Sequence, residues 1–125
     1  MRIIVKMLVV LFIASFAGCA TTGGTPQQSI YAIKSEYQIA LTAAVAYKGL
    51  PSCDIAGHPL VCSDATVVAK LKQADSVAGP SINAAEAAVR DPTFDKSTAN
   101  MVLLSAQQAL NILVAITAQL PKGGK

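Results

Sequence analysis

At 125 residues the chain has room for one domain, and its 53% hydrophobic content with only 5% aromatic residues makes the excess aliphatic, much of it alanine. Charged residues are scarce at 14%, the formal net charge is +3, and the charges stand singly or as near pairs such as Lys70 and Lys72. Without a basic block there is no footprint for nucleic acid, and a lone histidine, His58, leaves little for acid–base catalysis.

The first segment carries two positive charges, Arg2 and Lys6, ahead of an apolar run, Met7–Ala17, interrupted only by Ser15. Ala17 and Gly18 then supply small residues. This order of charge, apolar core and small-residue exit reads as a secretory signal over 1–18. The run is too short to span a bilayer, which takes about 20 residues. Loss of Arg2 and Lys6 with the signal leaves eight of the ten basic residues against seven acidic ones, a balance of +1.

Phe16-Ala17-Gly18-Cys19 resembles the lipobox of bacterial lipoproteins. The resemblance implies a diacylglyceryl group on the sulfur of Cys19, cleavage before Cys19, and acylation of the new amine. One acyl chain binds a membrane only marginally and stable anchoring takes two, which a diacylated cysteine supplies at one residue. In Gram-negative members of this class an Asp after the cysteine retains the protein at the inner membrane. Here Ala20 follows, so the resemblance implies the periplasmic face of the outer membrane.

Ala20–Ser29, small and polar with Gly23, Gly24 and Pro26, reads as a flexible tether, giving a lipidated cysteine and tether over 19–29. Ten flexible residues hold the folded part of the chain about 17 Å from the lipid on average.

The remaining cysteines, Cys53 and Cys62, share one turn-rich segment with Gly57 and Pro59. An even count in a short extracytoplasmic segment predicts a disulfide between them. The competing arrangement is a metal site of Cys53, His58 and Cys62 with Asp54 or Asp64. Its C-x4-H-x3-C spacing does not match structural zinc pairs, so no metal and no other cofactor is expected.

Three helices are predicted between these landmarks, in a bundle over 30–121. From Pro26 to Lys48, Ile30, Ile33, Tyr37, Leu41 and Ala44 recur at spacings of three and four, with Ser29 as a candidate cap and Gly49 and Pro51 as the stop. Tyr31, Tyr37 and Tyr47 are expected to close the edge of the core. The second segment follows Ser63 or Asp64 as cap and places Val67, Leu71, Ala74, Ala78, Ile82, Ala85 and Val89 in one register. Gly79-Pro80 falls inside it. Because the register continues, one helix kinked at Pro80 is favoured over two. Asp91-Pro92 ends this segment.

Asp95 or Ser97 caps the third. Ser97 to Pro121 has no charge, which invites a transmembrane reading. Gln107, Gln108 and Asn111, however, oppose an apolar face of Val102, Leu103, Ala106, Leu110, Leu113, Thr117 and Leu120, which fits a packed helix. Residues 122–125 form a tail. The expected fold is all-α, an up-down-up three-helix bundle with a disulfide-stapled loop between its first two helices.

No nucleophile–base pair, carboxylate pair or phosphate loop emerges. Glu36, Asp75 and Glu86 look isolated, and Asp91 and Asp95 flank a turn. A non-enzyme with no small-molecule substrate is expected. The body of the chain, from Cys53 through CSDATVV to AAEAAVRDP, is similar to small Ala-rich lipoproteins of proteobacteria and their prophages. Two functions are expected: a structural or adaptor lipoprotein that binds an envelope protein, motivated by the anchor and the uncharged third helix, or a phage- or plasmid-borne exclusion or lysis-control lipoprotein.

Overall fold

A computed structural model describes residues 24–121, which form three helices: α1 (Pro26–Lys48), α2 (Ala65–Arg90) and α3 (Lys96–Ala118). Each helix packs against both others, and the order is up-down-up. The signal, Cys19 and the tail 122–125 lie outside the described residues.

Each helix starts where a side chain can accept the free N–H groups of its first turn. In α1 the cap is Thr25, not Ser29. Thr25 Oγ1 accepts from the Gln28 N–H at 3.3 Å and Gln28 Oε1 accepts from the Thr25 N–H at 3.1 Å. With Pro26 at the first helical position, this reciprocal cap starts the helix three residues before the tether boundary set at Ser29. Asp64 caps α2 through the N–H groups of Thr66 and Val67, and Asp95 caps α3 through Thr98.

The same backbone donors hold the Asp64 and Asp95 carboxyls below their ordinary range. A carboxyl whose folded pKa is lowered stabilises the fold fully above its unfolded value. That stability is lost as pH falls through the lowered value. Melting temperature should therefore hold steady from about pH 7 to 5 and fall below about pH 4; a steady melting temperature down to about pH 2 would show that the caps contribute nothing.

Pro80 lies inside one continuous α2. Its missing N–H leaves the Ser76 carbonyl without a helical donor, yet Leu71, Ala74, Ala78, Ile82 and Ala85 stay buried on one side across it. Packing on both sides of the proline keeps the helix whole. Ser81 Oγ also donates to the Val77 carbonyl at 2.8 Å.

The core forms two layers. Ile30, Ile33, Ile82, Leu103 and Leu110 fill the half nearer the N-terminus of α1. Leu71, Leu113, Tyr47 and a set of alanines fill the other. Small alanines bring the helices close. By length and composition α3 could cross a membrane, but Leu103, Ala106, Leu110 and Leu113 are buried against α1 and α2.

Two polar contacts join α1 to α2 where the sequence shows only isolated acids. Tyr37 Oη donates to Asp75 Oδ1 at 2.6 Å, and Lys34 Nζ lies 2.8 Å from Glu86 Oε2, which also pairs with Arg90 through its other oxygen. A Cβ on Gly79 would sit 3.0 Å from the Tyr37 hydroxyl, so the glycine makes room for this contact. Burial, then the neighbouring Asp75 carboxylate, pushes the Tyr37 phenol from 10.0 up to about 12. Neutral Tyr37 stabilises the fold fully below its unfolded pKa, and this is lost as pH rises from about 10 to 12. Tyr37→Phe should remove that part of the alkaline loss in melts compared across this window.

Candidate functional site: a disulfide-closed loop

The connection between α1 and α2 is fastened at its base and free at its tip. α1 ends because Gly49 turns its N–H back to Val45 and Tyr47, and Pro51 cannot continue the helix. Cys53 and Cys62 are joined by a disulfide, with Cα atoms 5.0 Å apart. Beside it, the Cys53 N–H donates to the Ser63 carbonyl at 3.1 Å and the Ser63 N–H to the Pro51 carbonyl at 2.8 Å. Ser63 is buried, and its hydroxyl donates to the Leu50 carbonyl at 3.0 Å. Tyr47, buried in α1, accepts the Asp64 N–H on its hydroxyl at 2.8 Å. The end of α1, the loop base and the cap of α2 thus form one hydrogen-bonded unit.

Beyond this base the chain projects into solvent. Ile55 to Leu60 are all exposed, with Leu60 fully so. The tip turns on a bond from the His58 N–H to the Ile55 carbonyl at 3.1 Å and on Gly57, whose φ of +78° favours glycine. His58 Nδ1 sits 3.0 Å from the Pro59 carbonyl oxygen, which accepts a hydrogen bond when that nitrogen carries a proton. Asp54 is the loop's one carboxylate, and it accepts from the Ser52 hydroxyl at 3.3 Å.

Two bonded sulfurs offer no thiolate to the C-x4-H-x3-C arrangement. Among the described residues no three His, Cys, Asp or Glu side chains come together as a metal site. What the loop offers chemically is a constrained apolar surface: Ile55 and Leu60 held out in water by a covalently closed base.

The fold decides where that surface points. α1 runs from the Pro26 end to the loop, and 23 residues at about 1.5 Å each span about 35 Å. The chain before Pro26, towards Cys19, departs from one pole, and the loop occupies the other. Asp91 and Asp95 lie at the Pro26 pole and serve backbone needs: Asp91 accepts from Thr93, and Asp95 caps α3. Tyr31 departs from the expectation for the tyrosines. It is exposed, while Tyr47 is buried and Tyr37 half-buried. Its position on the outer side of α1 leaves nothing for the ring to cover.

The chain matches no protein-family model, no curated protein and no solved structure.

Proposed function

We propose that this protein is a lipid-anchored, non-catalytic binding module that faces the periplasm and presents the 53–62 loop to another envelope protein. The observation that carries the reading is the placement of an apolar tip, on a disulfide-closed base, at the pole opposite the chain's exit towards Cys19. In this reading Cys19 holds the Pro26 pole near the outer membrane. The bundle is then a spacer about 35 Å long, and Ile55 and Leu60 engage the partner at its far end. A preformed loop loses little conformational freedom on binding, which favours affinity from a small apolar tip.

The test is site-specific photo-crosslinking in cells, with the reactive residue at His58 and, as control, at Gln38 on the outer side of α1. The expected result is a discrete adduct with an envelope protein from His58 alone. Leu60→Asp should abolish that adduct while changing stability by no more than about 0.5 kcal/mol, because Leu60 touches no core. A membrane-bound protein with no adduct at His58, or an adduct indifferent to Leu60→Asp, would refute the loop's role.

A further inference from the structure

We infer that the outward face of α3 pairs with the same face of a second copy of this chain, in a parallel two-fold dimer. This face is unlike those of α1 and α2. The latter expose charges such as Glu36, Lys48, Lys70, Lys72 and Arg90, whereas α3 carries one charge, Lys96, at its first position. The remaining exposed residues of α3 are neutral, and large apolar ones are among them: Met101 is 67% exposed, Leu104 57% and Ile112 58%. Such a face meets a copy of itself with no like-charge repulsion, while α1 and α2 would each bring charges into the contact.

The spacing on this face selects the geometry. Met101, Leu104, Gln108, Asn111, Ala115 and Ala118 succeed each other at 3-4-3-4-3, the seam of a helix pair packed at a shallow angle. Flanking Ser105 and Ile112 are exposed and uncharged, as is the half-exposed Gln107. In a parallel pair each residue opposes its own copy: Met101 with Met101, Leu104 with Leu104, Gln108 with Gln108, and Asn111 with Asn111. Side-chain amides are self-complementary, each carrying a donor and an acceptor. Gln107 Nε2 donates to Asn111 Oδ1 at 3.0 Å, which leaves the Asn111 amide group free to donate across the seam. An antiparallel pair would also bring amides together, Gln108 against Asn111 with Leu104 against Ala115, but it would send the two Pro26 poles to opposite ends. Parallel helices align each amide with its own copy and keep both Pro26 poles at one end, the direction required if both chains are anchored through Cys19 in one membrane, as proposed above.

A parallel dyad has a consequence for the rest of the molecule. It brings both Pro26 poles to one end and both 53–62 loops to the other. Two lipidated chains could then share one membrane and present two loops together, with the gain in avidity that such linkage gives. The pairing itself rests on α3, and its direction rests on the anchor proposed above.

The test is disulfide trapping in membranes containing the full chain, with Gln108→Cys or Asn111→Cys as the added thiol. Like residues at the seam of a parallel pair approach within the roughly 7 Å Cα limit for a disulfide. Mild oxidation should give a reducible species at twice the monomer mass from both variants. The same treatment should give none from Gln38→Cys on α1, and the unsubstituted chain sets the background due to Cys19. Adding Leu104→Glu to Gln108→Cys should remove the species. Trapping only when Gln108→Cys and Asn111→Cys chains are mixed would show antiparallel pairing and overturn the register. Absence of the doubled species, or adducts of Gln108→Cys with another protein alone, would overturn the self-pairing. The mass of the trapped chain reports acylation of Cys19 separately, so loss of the anchor is not mistaken for loss of the dimer.

Discussion

Leu113→Ala should lower the stability of the bundle by about 3–5 kcal/mol, the upper part of the range for such truncations. Leu113 is fully buried in the half of the core near the loop, where Ala40, Ala74, Ala78 and Ala109 are four of the seven buried members. The cost of truncation depends on how far neighbours can collapse into the space. Alanine side chains cannot reach into it, and larger neighbours such as Leu41, Val67, Val68, Ile116 and Leu120 lie at the partly exposed edge of this layer, so much of the cavity stays. Leu110, equally buried, has Ile30, Ile33, Ile82 and Leu103 around it, and these longer side chains can lean inward. Leu110→Ala should therefore cost less than Leu113→Ala. Urea unfolding of the two variants measures the difference, and the reverse order would show that the alanine-rich layer relaxes more readily than its composition allows. A domain of this size has roughly 5–15 kcal/mol in all, so Leu113→Ala should leave the fold marginal.

Removing both sulfurs, as Cys53→Ser with Cys62→Ser, should cost about 2–3 kcal/mol, the chain-entropy value for a loop whose ends are nine residues apart. For a domain under about 100 residues this lowers the melting temperature by about 10–20 °C. Helix content should not change, because the Cys53–Ser63 and Ser63–Pro51 backbone bonds and the Ser63 hydroxyl still tie the loop base to α1. The loop tip should loosen, and the adduct at His58 should weaken before the bundle melts. Equal melting of the oxidised and serine forms would mean that the hydrogen bonds alone fix the base. Cys53→Ser by itself leaves Cys62 unpaired, and disulfide-linked dimers through Cys62 should appear on oxidation.

Local chemistry made the elements readable. Three helices, the stops at Gly49 and Asp91, and the pairing of Cys53 with Cys62 come from periodicity, capping and cysteine count. The caps were partly ambiguous because adjacent residues such as Ser63 and Asp64 can both accept an N–H. Only the fold shows Ser63 turned inward to the Leu50 carbonyl while Asp64 faces the helix. Thr25 and Gln28 form a recognisable capping box, which the small polar composition around them disguised as tether. Pro80 stayed within one helix because a register on both sides outweighs one lost hydrogen bond.

Contact between distant residues was not legible in the sequence. Tyr37 and Asp75 are 38 positions apart and Lys34 and Glu86 are 52 apart. Each acid looked isolated because no short-range pattern links residues on different helices. The loop's cysteines were legible, but the direction of its tip was not. No sequence pattern marks Ile55 and Leu60, and only the bundle shows them in solvent at the pole opposite Pro26. The neutral stretch in α3 was visible at once, and its division into a buried side and an exposed side needed the packing of all three helices.

The anchor proposed at Cys19 and the oxidised loop would together give the protein a distinctive mass. The decisive experiment is intact mass spectrometry of the protein purified from membranes without reduction, beside Cys19→Ala. The expected chain begins at Cys19, carries acyl chains on that residue and is two hydrogens lighter than its reduced form, with Cys19→Ala lost from the membrane. A membrane protein that begins at Met1, carries no acyl chain and retains free thiols at Cys53 and Cys62 would contradict both the anchor and the closed loop.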